Sequence, residues 1–224
     1  MTDPGYCHIS IIADRSGSMA GSADSPHEIA HRAGEPAKAD LTTNGIHELV
    51  RQQQEQPGRL TVSLMHFDTT HETVENFGDG TRALAWRCVP RGGTALLDAV
   101  GRTIEKTGEQ LAAMPEDQRP GKVIVIIGTD GYENSSHEYD LAQVKAMIER
   151  QRNEFGWEFA FQGAGIDAFH EADAMGVATA STLSTSGQNS GAAYLATSSA
   201  ITRSRKTGEA FSYSTDERAA AGSE

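Results

Sequence analysis

Residues 122–128, KVIVIIG, run directly into Thr129-Asp130-Gly131. An unbroken β-branched run of this kind reads as a central parallel strand, covered by helices on both faces. Outward from it, apolar runs alternate with helical patterns, which predicts an α/β sheet. Strands are expected over 6–13 (YCHISIIA), 60–67 (LTVSLMHF) and 157–162 (WEFAFQ), with a short one near 177–180. Asp68-Thr69-Thr70 reads as a tight turn into a further strand near 71–77, making a hairpin.

Helices are expected over 38–55, Thr94 to about Met114, 139–155, 167–175 and 188–204, from apolar positions at helical spacing. Gly45 interrupts the first of these, and Pro57-Gly58 ends it. The segment 82–90 is open between a loop and a short strand. The stretch of about 20–36 is rich in Ala, Gly, Ser and Pro and reads as an insertion. One domain is expected over 1–205, followed by a mobile polar tail over 206–224 with little apolar content.

Composition narrows the function. The 224 residues suffice for one domain with a sizeable core. A net charge of −12 disfavours nucleic acid, which demands clustered Lys and Arg, and an anionic membrane surface. No stretch approaches the ~20 apolar residues of a membrane span, and the start, Met1-Thr2-Asp3-Pro4-Gly5, lacks a signal-peptide pattern. Cys7 and Cys88 form no disulfide framework. A cytoplasmic protein is the expectation.

Three pieces carry the chemistry: Asp14-Arg15-Ser16-Gly17-Ser18, Gly92-Gly93-Thr94 and Thr129-Asp130-Gly131. Each alone is an ordinary turn or helix cap. Together they offer three hydroxyls and two carboxylates, the hard oxygen donors that magnesium and its relatives prefer. Loops at the carboxyl ends of adjacent parallel strands converge on one crevice, so the pieces are placed to meet over one ion. No evident nucleophile or general base accompanies them, which favours binding over catalysis.

Two enzyme readings compete. His27-Glu28-Ile29-Ala30-His31 matches H-E-x-x-H, in which two imidazoles one turn apart face a zinc ion and the glutamate polarises its water. Gly34 fits the longer form of that pattern, but Ala37 stands where its third histidine belongs, and Glu48 is a conceivable third ligand that no independent feature supports. A surface helix in the insertion is the simpler reading, and a zinc hydrolase the weaker alternative. A phosphatase with Asp14 as nucleophile would want a carboxylate where Ser16 stands. The remaining histidines are scattered and read as structural or solvated.

The segments DRSGSM at 14–19, Thr94 in GGTALLDA and Asp130 in IIGTDGYENS resemble the von Willebrand factor A (vWA) domain and its metal-ion-dependent adhesion site (MIDAS). TALLDAVGRTI, KVIVIIGTDGYENSS and FGWEFAFQGAGIDAF are more narrowly similar to small stand-alone vWA proteins of bacteria and their phages. The resemblance implies a Rossmann-like three-layer sandwich, its mostly parallel sheet carrying one antiparallel edge strand and helices on both faces. It implies that Ser16, Ser18 and Thr94 contact Mg²⁺ or Mn²⁺, with Asp14 and Asp130 binding directly or through water. A partner protein's Asp or Glu would complete the shell, and self-association is open. A structural part of a larger assembly, such as a phage virion, is the alternative role. The insertion is the departure from the family's pattern.

Overall fold

The computed structural model describes residues 2–21, 37–164 and 167–223. The insertion after residue 21 and its HEIAH sequence therefore lie outside the described residues. Six strands form one sheet: β1 (Asp3–Asp14), β2 (Arg59–Phe67), β3 (His71–Gly78), β4 (Pro120–Thr129), β5 (Glu158–Ala164) and β6 (Thr182–Thr185). Their order is β3-β2-β1-β4-β5-β6. Every pairing is parallel except β2 with β3, the antiparallel edge hairpin. The helices are α1 (Lys38–Gln54), α2 (Thr81–Ala85), α3 (Leu96–Ala113), α4 (Leu141–Phe155), α5 (Ala168–Ala174), α6 (Ser190–Thr207) and α7 (Thr215–Ala220).

The two faces of β4 explain its composition. Ile124 and Ile126 pair in register with Ile9 and Ile11 of β1 and pack under α1 and α6, beside Ile46, Leu49 and Ile201. Val123, Val125 and Ile127 face the opposite cluster, with Leu96 and Val100 of α3 and Val144 and Ile148 of α4. Successive residues of a strand point to opposite faces, so a strand covered on both sides has no polar phase. Each buried Ile or Val contributes about 1.5–3 kcal/mol relative to exposure. Truncating fully buried Ile126 to Ala would cost about 2–5 kcal/mol.

Gly45 is explained by close helix packing. A Cβ there would lie 3.0 Å from the Tyr194 ring and 3.1 Å from Cα of Gly191, so α1 and α6 touch at a point with no room for a side chain. No described helix is long and apolar enough to cross a membrane.

Three expectations change. Residues 81–85 are helix α2 rather than part of a short strand; the buried Glu75 carboxylate accepts the amides of Gly80 (2.8 Å) and Ala83 (2.7 Å) and so supplies the cap. The last strand lies at Thr182–Thr185 instead of 177–180, where a 3-10 turn over Thr179–Ser181 intervenes. The segment after residue 206 packs against the domain through residue 223 and is no loose tail. Phe211 and Tyr213 are buried in the α1/α6 cluster, and Ser214 and Glu217 form a capping box for α7. Two aromatic residues anchor a segment whose average composition is polar.

Candidate metal centre

The sheet delivers two of the three pieces directly. Asp14 ends β1, Thr129 ends the adjacent parallel β4, and the loop after each begins at the same edge of the sheet. Asp14 Oδ1 accepts the Ser16 amide (2.6 Å), and Oδ2 accepts the Thr129 hydroxyl (2.7 Å). The Ser16 and Ser18 hydroxyls are 2.9 Å apart, and Ser18 donates to Asp130 Oδ1 over 2.5 Å. The third piece closes on these two. The Gly17 amide donates to the Gly92 carbonyl (3.1 Å), and a Cβ on Gly131 would lie 3.2 Å from Oγ1 of Thr94 and 3.7 Å from Oγ of Ser18. The structure thus brings Asp14, Ser16, Ser18, Thr94 and Asp130 together. Asp14, Ser16, Thr94 and Asp130 are buried, and Ser18 reaches the surface.

Burial, and then the neighbouring Asp130 carboxylate, push Asp14 well above the usual carboxylate range, to about 6. Two adjacent buried carboxylates repel, and a cation among them relieves both the repulsion and the desolvation. Hydroxyl and carboxylate oxygens are the donors hard divalent cations take. The residues present therefore fit such an ion, with these five side chains as the groups that would hold it. Among the described residues no cluster of three His, Cys, Asp or Glu offers a competing site.

Another cationic group contacts this set. Lys38, the first residue of α1, places its Nζ 2.6 Å from Asp130 Oδ2, and the two side chains are 1% and 2% exposed. Nothing in the sequence marks Lys38 as part of the site, because a single lysine at a helix start carries no signature.

Further residues missed in the sequence hold the loops rather than face the ion. Asp98 of α3 accepts the amides of His137, Glu138 and Tyr139, each at 2.9 Å. Burial alone would raise its carboxyl; those amides outweigh it and hold Asp98 below the usual range. Glu133 accepts the amides of Leu97 (2.9 Å), Ser135 (2.8 Å) and Ser136 (2.8 Å). On the other flank Asp68 Oδ2 lies 2.8 Å from Arg15 Nε and 2.6 Å from Arg91 Nε, while the Asp68 carbonyl accepts the Ala95 amide (2.8 Å). Arg15 is thereby drawn to the hairpin, away from the hydroxyls either side of it. The available signal was the density of Asp, Glu, Asn and Ser around 133–140, typical of loops that satisfy their own amides.

Both free cysteines are buried. Cys88 Sγ lies 3.7 Å from the Asp14 carbonyl; burial, with the nearby carboxylates, pushes its thiol up to about 12, so it is an inert packing group at neutral pH. His8 is a core residue, bonded to Thr61 and Ser10 and stacked on Phe77.

No family model and no curated protein matches the chain in sequence. Solved structures match it in fold. The PilB minor pilin of Streptococcus sanguinis aligns over 88% of this chain and 61% of its own, with 14% identity and a TM-score of 0.62. The vWF domain of the type V pili tip protein Mfa5 of Porphyromonas gingivalis aligns over 94% and 98%, with 10% identity and a TM-score of 0.59. Proximal thread matrix protein 1 of the mussel byssus, whose MIDAS motif is occupied by zinc, aligns over 83% and 45%, with 16% identity and a TM-score of 0.57. The chain thus spans about three fifths of the pilin and under half of the byssus protein. The architecture is a three-layer α/β sandwich with one antiparallel edge strand. It is the von Willebrand factor A fold.

Proposed function

We propose that this chain is a metal-dependent protein-binding module in which Asp14, Ser16, Ser18, Thr94 and Asp130 hold Mg²⁺ or Mn²⁺. The observation that carries the reading is the convergence of these five oxygen-bearing side chains from three loops at one edge of the sheet. A bound dication supplies an electrophilic centre for a carboxylate. Partially exposed Ser18 lies on the route by which a partner's Asp or Glu would approach it.

Binding is favoured over catalysis by the way the carboxylates are used. Both Asp14 oxygens accept hydrogen bonds from the protein, and Asp130 engages Ser18 and Lys38. Both carboxylates are thereby turned inward onto the protein's own donors, which suits ligands of an ion better than a nucleophile or general base facing a substrate. The zinc-occupied MIDAS motif of the byssus protein and the pilus location of Mfa5 agree with a role in metal-dependent adhesion.

Calorimetric titration of Mn²⁺ and Mg²⁺ into wild type and Asp14→Ala tests the site, with circular dichroism verifying that the variant folds. Binding by wild type and its loss in Asp14→Ala are expected. Immobilised wild type should then retain partner protein in Mg²⁺ and release it in EDTA, while folded Asp14→Ala retains none. Equal capture by Asp14→Ala, or capture in EDTA, overturns the reading.

A further inference from the structure

We propose that Lys38 is a tethered cation that competes with the metal, so that a divalent ion enters only as the Lys38 ammonium leaves Asp130. The inference rests on the reading of the five oxygen donors as a divalent-cation site, and it adds a residue that sets the affinity of that site.

The position of Lys38 is costly and specific. Lysine is almost never fully buried without a partner, yet this side chain is 1% exposed. It also opens α1, whose N-cap Ala37 provides no side-chain acceptor. The positive end of a helix dipole favours an acid and disfavours an ammonium. Two unfavourable terms are thus accepted at one residue, and the ion pair with the buried Asp130 carboxylate just after β4 contributes to offsetting them. The Nζ–Oδ2 contact of 2.6 Å is a close charge-assisted hydrogen bond.

Geometry makes the two cations mutually exclusive. Asp130 Oδ1 accepts from Ser18, one of the hydroxyls in the donor set, while Oδ2 is held by Lys38. A dication bound by Ser16, Ser18 and Asp130 would sit within a few ångströms of the ammonium, and in a buried site such like charges repel strongly. Charge balance points the same way. Asp14 and Asp130 carry two negative charges when ionised; the ammonium cancels one, and a divalent ion cancels both. The ammonium keeps the empty site folded, and the divalent ion gains by replacing it. Metal entry is thereby linked to a displacement at the start of α1.

Titration of Mn²⁺ into wild type, Lys38→Met and Asp14→Ala, followed calorimetrically, separates the possibilities. Lys38→Met is expected to bind Mn²⁺ at least tenfold more tightly than wild type and to gain more in Tm on saturation. Equal or weaker binding by Lys38→Met, with wild type binding and Asp14→Ala not, overturns the role of Lys38 and leaves the metal site standing. Absence of binding by both wild type and Lys38→Met defeats the site itself and the inference with it. Should Lys38→Met fail to fold, wild type decides the question. Acetylation by an N-hydroxysuccinimide ester, read by mass spectrometry on the peptide containing Lys38, should rise several-fold on Mn²⁺ saturation. Unchanged labelling overturns the proposal.

Discussion

Thr94 and Asn134 are joined by a reciprocal pair of hydrogen bonds. The Thr94 amide donates to Asn134 Oδ1 over 2.9 Å, and the Asn134 amide donates to the Thr94 carbonyl over 3.0 Å. This pair ties the loop that carries the Thr94 hydroxyl to the loop that carries Asp130. Asn134→Ala leaves the Thr94 amide without this acceptor, at a cost of about 1–3 kcal/mol, and loosens the threonine against the other donors, while the backbone bond from residue 134 to the Thr94 carbonyl remains. The expected result is a modest fall in Tm with a loss of roughly tenfold or more in Mn²⁺ affinity, equivalent to about 1.4 kcal/mol. An affinity unchanged by calorimetry would mean that the backbone of the loop is held by other contacts.

Gly93 occupies the same junction from the other side. A Cβ there would fall 2.3 Å from Ser135 Oγ and 2.8 Å from Asn134 Oδ1, so Gly93→Ala must turn these side-chain ends aside and disturb the Asn134 Oδ1 that accepts the Thr94 amide. Gly108, inside α3, has nothing within 4 Å of its would-be Cβ. Gly108→Ala should therefore stabilise the protein by about 0.5–1 kcal/mol through helix propensity alone. Opposite signs of the two Tm shifts, with metal affinity lowered only in Gly93→Ala, are the expected outcome. A Gly93→Ala protein with wild-type Tm and affinity would contradict this account of the junction.

The sheet was legible because its signals are local. An apolar run such as 122–128 has only one common solution, and the DRSGSM and TDG turns follow strands whose ends are marked in the sequence. What escaped depends on contacts distant in the chain. Helix α2 owes its cap to Glu75, a residue of the preceding strand. The last strand begins after a 3-10 turn that no periodicity marks. Lys38 meets Asp130 across ninety-two residues, and nothing about an isolated lysine foretells an ion pair. The polar average of the last segment concealed Phe211 and Tyr213, two side chains whose burial outweighs their number.

His8 makes the stability depend on pH. Burial pushes its imidazole from the usual 6.5 down to about 3. Between those values the unfolded chain binds a proton that the native state refuses, so the contribution of neutral His8 is full above pH 6.5. It declines as pH falls toward 3, by about 1.4 kcal/mol per pH unit. Asp14, raised to about 6 in the native state, acts in the opposite sense between about 4 and 6, so the comparison must be with a variant. The stability difference between wild type and His8→Asn, from urea unfolding, should shrink steadily as pH is lowered from 6.5 to 4. A difference constant across that range would show that His8 titrates normally.

The C-terminal segment is part of the core, and single substitutions can show it. Phe211 is 5% exposed and packs edge-on against Tyr213, with ring centroids 5.0 Å apart. The Tyr213 hydroxyl is 2.7 Å from that of Thr197, which also accepts from Gln162 of β5 over 2.6 Å. Arg218 of α7 donates to the Thr182 carbonyl over 2.7 Å, fastening the segment to the β6 edge. Phe211→Ala removes a ring from this arrangement and should cost about 3–5 kcal/mol. Ala210→Ser, exposed and adjacent, should stay within about 0.5 kcal/mol of wild type. Urea unfolding of the two variants gives both numbers. Equal midpoints for Phe211→Ala and wild type would return the segment to the status of a loose tail, because a side chain in solvent has no packing to lose.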